Sequence, residues 1–337
     1  MRILLDVMGG DHHPEELVKG GIAIGKHRKI DIVFAGDPQL IDSALKKYGQ
    51  TAGHSFHILP CSEVIQMDDS PVRAVREKGD SSIIRGLQEL SAGNVDAFVS
   101  PGNTGAVVAG SLFTLGRIKG IPRPGIMTAL PTLSGQDTFL IDVGATSDCH
   151  AEHLVHFAQM GITYAREVVG IAAPTVGLLN IGGEQGKGNR LITRAYELLK
   201  ATDLRFIGNV EAHQIINDRP ADVVVADGFV GNICLKTIEG SVSAVTGILK
   251  KSIRESVVTQ LGALLMKRAF GDLRSAVSYQ KRGGAPLLGV NGIVVIAHGR
   301  SDAEAIGSAV DVARREVEAN LADKLARLVP QADHHGS

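Results

Sequence analysis

Short runs of Val, Ile and Leu recur along the chain, each ending near Gly, Asp or Asn and followed by helical spacing. They fall at 3–11, 31–37, 96–105, 138–145, 175–183, 205–210, 222–232 and 292–299. Their apolar residues follow one another with little polar alternation, the pattern of strands covered on both faces. Amphipathic helices fit the intervals 13–27, 38–48, 80–92, 104–116, 151–168, 188–200, 230–250 and 301–322. Strand and helix in alternation predict an α/β fold of three α/β/α layers, with a mostly parallel sheet between the helices. No repeat at a solenoid period and no linker rich in Pro or Ser interrupts it.

The alternation fails once. From Ser241 to about Tyr279 there is no strand signal, only helical spacing through Ile253, Val257, Leu261, Leu264 and Leu265. A helical arm over 241–280 is expected, suited to a dimer interface, a lid or surface docking. Its charge sets it apart. The stretch 250–282 carries Lys250, Lys251, Arg254, Lys267, Arg268, Arg274, Lys281 and Arg282 against only Glu255 and Asp272, in a chain of net charge −1. A solvated helix face is the plain alternative.

At 337 residues the length allows one large unit or two lobes. The expectation taken here is a single catalytic domain over 1–330, with 331–337 a frayed tail. Hydrophobic residues at 44% and charged residues at 21% exclude a disordered chain. Aromatics at 4%, with no Trp, argue against stacking platforms for nucleic acid, and the net charge offers it no general attraction. Cys61, Cys149 and Cys234 are odd in number and form no CxxC pair, which fits a reducing cytosol. The opening MRILLDVMGGD meets Asp6 too soon for a signal-peptide core, and no run of about 20 apolar residues exists to span a bilayer.

Ligands of open parallel sheets bind beyond the carboxyl ends of the strands. Small polar residues crowd there: Asp6, Gly9, Gly10 and Asp11 after the first run, then Ser100, Gly102, Asn103, Thr104 and Gly105, then Asp227, Gly228, Gly231 and Asn232. Glycine lets backbone N–H groups approach a ligand at the positive end of a helix dipole, so the shared implication is an anion, most simply phosphate. Ordinary turns also favour these residues. Asp11, just before His-His-Pro-Glu-Glu, suits a helix cap as well as a base. A fourth cluster, NIGGEQGKGN (180–189), holds Asn180, Glu184, Lys187 and Asn189, and Lys187 there could meet a phosphate or an oxyanion.

Several chemistries lack their motifs. GxxxxGK[ST] and GxSxG are missing, and no GxGxxG opens the first unit, so a nucleotide P-loop, a serine-hydrolase elbow and a dinucleotide fold are not supported. His150, His153 and His156 share a helix without a completing ligand, so no metal is expected. Cys149 with His153 as base remains open as a nucleophile.

At LDVMGGD (5–11), SPGNTGA (100–106), DVGATSDCHAEHLVHFAQMG (142–161), GLLNIGGEQGKGN (177–189), FIGNVEA (206–212), ADGFVGNICLKTIEG (226–240) and AHGRSDAEAI (297–306) the chain resembles the PlsX-type phosphate acyltransferases. Two departures stand out. Val7 replaces a usual Ala, and the 182–189 loop lacks a second acidic residue that many members have. The resemblance implies a homodimeric fold related to phosphotransacetylases and to the isocitrate/isopropylmalate dehydrogenases. It implies acyl carrier protein thioester and inorganic phosphate as substrates. It further implies an acyl phosphate product passed to a membrane glycerol-3-phosphate acyltransferase in phospholipid synthesis, and a cytoplasmic protein that associates peripherally with membrane.

Direct transfer without a cofactor follows as an expectation, since phosphate is already nucleophilic and a thiolate leaves readily. Amides around Gly102–Gly105, with Asn103, would hold phosphate or the oxyanion, and Lys187 would supply positive charge. Asp227 and Asn232 would orient phosphate or the pantetheine arm, and Asp6 or Asp11 would act as base. Gly9, Gly10, Thr104, Asn180, Asn189 and Gly228 would complete the phosphate and substrate contacts. Lys250, Lys251, Arg254, Val257, Leu261, Leu264, Lys267 and Arg268 would meet an anionic membrane or the acidic carrier protein. An oxidoreductase on the related dehydrogenase fold and a non-catalytic carrier-protein scaffold are the rival readings.

Overall fold

The computed structural model describes residues 1–268, 270 and 283–328. Asp272, Arg274, Lys281 and Arg282 of the basic arm, and the tail 331–337, lie outside the described residues. Contacts divide the chain into two compact units where the sequence suggests one domain over 1–330. Among the described residues, unit 1 comprises 1–128, 159–173 and 283–328, and unit 2 comprises 129–158, 174–268 and 270. The chain re-enters unit 1 twice and unit 2 once, which a strand-and-helix alternation does not mark.

Unit 1 contains β1 (Arg2–Asp6), β2 (Asp31–Gly36), β3 (Phe56–Pro60), β4 (Ala97–Ser100), the first residues of β5 (Gly125–Pro131), β10 (Ala285–Leu288) and β11 (Val294–Ile296). Their order is β3-β2-β1-β4-β11-β10-β5. The pairs from β3 through β11 are parallel, and β10 runs antiparallel to both its neighbours. The helices are α1 (Pro14–Arg28), α2 (Pro38–Lys47), α3 (Pro71–Glu77), α4 (Ser82–Ser91), α5 (Thr104–Thr114), the end of α6 (Ala151–Tyr164), and, near the C-terminus, Ala303–Glu318 and Leu321–Ala326.

Neighbouring residues of β1 show why its apolar run does not alternate. A Cβ added to Gly86 of α4 would meet Leu4 at 2.8 Å, whereas one added to Gly21 of α1 would meet Leu5 at 3.2 Å. Side chains of successive strand residues point to opposite faces, so helices cover both. In register, Leu4 pairs with Phe98 and Leu5 with Phe34, and these rings pack against the same two glycines. All four side chains are fully buried, each worth roughly 1.5–3 kcal/mol of transfer free energy.

Unit 2 holds β6 (Asp137–Ile141), β7 (Val176–Asn180), β8 (Phe206–Glu211) and β9 (Val223–Val225), all parallel in the order β6-β9-β7-β8. Its helices are the first turns of α6, then α7 (Arg190–Lys200), α8 (Ala212–Asn217), α9 (Gly228–Arg254) and α10 (Val257–Leu265). The two C-terminal helices of unit 1 are accordingly α11 (Ala303–Glu318) and α12 (Leu321–Ala326). The helix expected over 230–250 runs from Gly228 to Arg254, and α10 beyond it has no buried residue.

Candidate active site

In unit 1 the parallel neighbours β1, β4 and β11 end side by side, so the loops that follow them meet. Asp6, fully buried, joins the first two. The amides of Met8 and Gly9 donate to its Oδ1 at 2.9 and 3.2 Å, and the Ser100 hydroxyl donates to its Oδ2 at 2.7 Å. Ser100 Oγ in turn accepts from the Gly102 amide at 3.0 Å. Burial pushes the Asp6 carboxyl up, opposed by hydrogen bonds from Ser82, Ser100 and the Met8 and Gly9 amides. With no exposed surface and its oxygens held this way, Asp6 fixes the two loops and does not present a base to a ligand. Position 9 has no room for a side chain, since a Cβ there would lie 2.6 Å from both Asp6 Oδ2 and Gly102 Cα. The third loop is tied in by the Asp11 amide, which donates to the Gly299 carbonyl at 2.8 Å, close beside Gly10.

Asn103 is placed differently from its expected role. Its Oδ1 caps α5 by accepting from the Ala106 amide at 3.0 Å. Its Nδ2 faces the carbonyls of Gln66, Met67 and Asp69 at 3.3, 3.0 and 3.1 Å. The amide donors that an oxyanion would need are spent on fastening the 66–69 segment. Thr104 and Gly105 open α5, Thr104 exposed.

Asp11 does not cap α1. His13 does, accepting from the Glu15 amide at 3.3 Å through Nδ1, with Pro14 as the first helical residue. The Asp11 carboxylate is instead exposed, with Arg300 Nε 3.9 Å away. His12 Nε2 lies 3.2 Å from the Arg300 carbonyl, and His298 Nδ1 accepts from the Arg300 amide at 3.1 Å. His298 and Arg300 thus join the cluster. Their signal was the AHGRSD segment closing the last parallel strand.

Unit 2 repeats the arrangement with different residues. Asp142, fully buried at the end of β6, accepts from the amides of Gly144 and Ala145 at 2.9 Å each and of Thr146 at 2.7 Å. The Thr146 carbonyl accepts from the Gly228 amide at 2.9 Å, which seats the start of α9 on this loop. The fit tolerates no side chain: a Cβ at 228 would lie 2.7 Å from Asp142 Oδ2, and one at 231 only 1.9 Å from the Asp142 carbonyl oxygen. Asp227 caps α9, its Oδ1 accepting from the Phe229 and Val230 amides at 3.1 and 3.0 Å. Asn232, one turn on, turns its Nδ2 to within 2.8 Å of where a Cβ on Gly144 would stand. Asp142 was not among the candidates read from sequence. The available signal was the match of Leu-Ile-Asp-Val to Leu-Leu-Asp-Val at Asp6.

The 180–189 loop folds on itself. Asn180 Nδ2 donates to the Lys187 carbonyl at 3.0 Å, and Asn209 Nδ2 holds the Glu184 carbonyl at 2.9 Å. Gly188, at φ +96°, takes a backbone shape that other residues resist, and Asn180 Oδ1 occupies the space of its missing Cβ. Asn189 caps α7, accepting from the Ile192 amide at 3.0 Å. Lys187 and Glu184 are exposed.

Asn180, Gly188, Asn189 and Asp227 meet at one cleft of unit 2, about 1030 Å³ in volume. Most of its other walls are apolar, among them Leu130, Leu133, Ile192, Ile216, Val230 and Ile233, with Thr132, His213, Asn217 and Glu239 among the polar exceptions. This is at the upper end of ordinary small-ligand sites, roughly 300–1,000 Å³. Unit 2 therefore joins Asn180, Asn189 and Asp227, with Lys187 tethered to Asn180. Asp6, Gly9, Gly10, Asp11, Gly102 and Asn103 form the unit 1 cluster.

Cys149 is a poor nucleophile here. Burial, then the nearby Asp142 charge, pushes its thiol up to about 12, and Sγ donates to the Thr146 carbonyl at 3.4 Å. Of the arm, Lys250, Lys251, Arg254, Val257, Leu261, Leu264, Lys267 and Arg268 are all exposed. Among the described residues no helix is long and apolar enough to cross a membrane.

A family model described as "Fatty acid synthesis protein" matches residues 1–324. The chain is 47% identical over 330 residues to a phosphate acyltransferase of Heliobacterium modesticaldum, covering 98% of each protein. It is 43% identical over 311 residues to a phosphate acyltransferase of Clostridioides difficile, covering 92% of this chain and 91% of the relative. Among solved structures it shares its fold with a phosphotransacetylase from Streptococcus pyogenes, at TM-score 0.64 and 16% identity over 94% of each chain. A 4-hydroxythreonine-4-phosphate dehydrogenase from Klebsiella pneumoniae matches at TM-score 0.54 and 14% identity, over 94% of this chain and 99% of the other.

Proposed function

The chain belongs to the fatty acid synthesis protein family, and from that premise we propose that it is a phosphate acyltransferase, moving a fatty acyl group from acyl carrier protein to inorganic phosphate. The observation that carries this reading is the unit 2 cleft, where an apolar wall meets the polar strand-end residues Asn180, Asn189 and Asp227. An acyl thioester has the same two-part chemistry.

In the reaction a phosphate oxygen attacks the thioester carbonyl carbon, a new C–O bond forms, and the C–S bond breaks. The carrier thiolate takes both electrons of that bond and then a proton from solvent. Its thiol pKa, about 8.5, makes it a ready leaving group, so a strong general acid is not needed. What the protein must supply is orientation and stabilisation of negative charge. Lys187 is assigned the ammonium for the developing oxyanion. Asn189 and Asn232 are assigned the thioester and pantetheine end, and Asp227 the orientation of α9. Within unit 1, Arg300 beside Asp11 and the first amides of α5 are groups suited to holding an anion. Asp6 and Asn103 act as positioning residues.

The same reading takes the chain as a homodimer without a cofactor that hands acyl phosphate to a membrane glycerol-3-phosphate acyltransferase. The exposed Val257, Leu261 and Leu264, flanked by Lys250, Lys251, Arg254, Lys267 and Arg268, suit peripheral binding to an anionic membrane. Release of carrier thiol from long-chain acyl carrier protein, measured with and without phosphate, tests the function. Release that ignores phosphate defeats it, and a nicotinamide absorbance change would favour the dehydrogenase reading.

A further inference from the structure

The ammonium assigned to the oxyanion stands on an exposed, glycine-rich loop. A lysine there keeps its many rotamers unless the backbone beneath it is fixed. Three hydrogen bonds fix it. The Lys187 amide donates to the Glu184 carbonyl at 3.3 Å, closing a four-residue turn whose third residue is Gly186, at φ +92°. A positive φ at that place is the demand of a type II turn. Asn180 Nδ2 donates to the Lys187 carbonyl at 3.0 Å, and Asn209 Nδ2 donates to the Glu184 carbonyl at 2.9 Å. Both ends of the turn are thus held by asparagine amides from the paired strands β7 and β8. The Lys187 stem lies over Gly182, where an added Cβ would meet its Cγ at 3.5 Å.

Asn180 reaches the loop as the last residue of β7, but Asn209 lies inside β8. Val176 stands opposite Phe206 and Leu178 opposite Asn209, so β8 carries one residue more than β7 over the same span. Such a bulge re-aims the side chain that follows it, and Gly208, at φ +95°, supplies the backbone shape that other residues resist. The side chain so placed is left incomplete. With Nδ2 on the Glu184 carbonyl, Asn209 Oδ1 is buried, and among the described residues no donor reaches it. A buried oxygen without a partner costs stability, so packing of β8 alone would favour an apolar residue here. We propose that Asn209 is a positioning residue for Lys187: through the Glu184 carbonyl it holds the turn that presents the ammonium. It touches no reacting atom. The proposal rests on the acyltransferase reading and adds to it the residue that sets where the cation stands.

The test is a double-mutant cycle in the full-length protein. Asn209→Ala removes the tie, and Asn209→Asp, of nearly the same size, sets an oxygen against the carbonyl. Phosphate-dependent thiol release from an acyl carrier-protein donor is measured for each, for Lys187→Ala and for the two double variants. The oxyanion exists only beyond the ground state, so Asn209→Ala lowers kcat by about fivefold or more while KM for donor and phosphate stays within about twofold. With Lys187 already replaced, the same change costs less than about twofold. An equal loss in both backgrounds, a rise in KM without a fall in kcat, or full activity of both Asn209 variants overturns the proposal. Trypsin supplies a readout that needs no turnover. Cleavage after Lys187, followed by mass, quickens by about fivefold or more in both variants while cleavage elsewhere keeps the wild-type rate; an unchanged rate at Lys187 overturns the proposal. Should Asn209→Ala fail to fold, seen as faster cleavage everywhere, Asn209→Asp carries both measurements. Wild-type protein that releases no phosphate-dependent thiol fails the acyltransferase reading itself, and the cleavage rates then decide alone whether Asn209 holds the turn.

Discussion

Asp142→Asn is the most informative single change to the scaffold. The native carboxylate is fully buried and takes three backbone donors, two on Oδ1 and one on Oδ2. Asparagine can keep Oδ1 toward Gly144 and Ala145, but its Nδ2 then points a donor at the Thr146 amide. One charge-assisted bond is lost and a buried N–H is left facing another donor. At about 1.5–3 kcal/mol for the first and a similar amount for the second, a loss of roughly 3–6 kcal/mol is expected. The effect reaches the cleft because Thr146 also accepts from the Gly228 amide, and Gly228 starts the helix that Asp227 caps. Urea unfolding should show the stability loss. At temperatures where the variant is still folded, kcat/KM should fall at least tenfold, chiefly through KM for the acyl donor. Asp142→Ala, which frees all three amides, should be worse in both. A stability change under about 0.5 kcal/mol, the range of an inconsequential surface substitution, together with an unchanged rate would refute the role given to Asp142.

Further outcomes are expected elsewhere. Lys187→Ala should lower turnover at least tenfold with an unchanged unfolding midpoint, because Lys187 is exposed; an unchanged rate removes it from the site. Cys149→Ser should retain activity and the wild type should yield no trapped acyl-cysteine, since the thiol is pushed up to about 12 and stays protonated at neutral pH. Glu316, buried on α11 with Oε1 unpartnered, has its carboxyl pushed well above the usual range by burial, so the folded chain holds that proton more tightly than the unfolded one. Its stability contribution is intact below the unfolded value near 4.5 and declines as pH rises toward the folded value. Glu316→Gln should therefore gain on the wild type in melting scans from acid to neutral pH; parallel curves would contradict this. Leu264→Asp with Leu265→Asp should reduce flotation with anionic liposomes while leaving thiol release from carrier-protein donors intact, and equal flotation would clear α10 of a membrane role.

Eight strands were legible in the sequence, seven of them because burial on both faces writes itself as a nearly unbroken apolar run; β8 (FIGNVE) is the exception, with only Val210 buried. The strands that escaped had weaker patterns. β3 (FHILP) carries a histidine and ends in proline, β5 (GIMTALP) breaks at Thr128, and β10 (APLL) is short and antiparallel. Within the site, composition identified the loops but not which atoms were free. Asn103 looks like a donor in sequence, yet its Nδ2 faces three carbonyls more than thirty positions away. The cap of α1 was decidable locally, since Pro14 as first helical residue leaves the preceding His13 as the cap. Asp142 shares its Ile-Asp-Val setting with the Leu-Asp-Val of Asp6, but only the packing of Gly228 and Gly231 against it reveals its part in holding α9. The cleft was illegible because its walls come from the 130–135 turn, α7, α8 and α9, segments that no local period connects.

Trapping the product shows whether phosphate itself accepts the acyl group. Purified protein, hexadecanoyl carrier protein and oxygen-labelled phosphate are mixed, and hydroxylamine is added to a parallel sample. With phosphate as the acceptor, an acyl phosphate that carries the label forms, and hydroxamate exceeds that of a phosphate-free control in which hydroxylamine cleaves the thioester directly. Thiol appearing with free fatty acid and no labelled acyl phosphate would defeat this, for water and not phosphate would then be the acceptor.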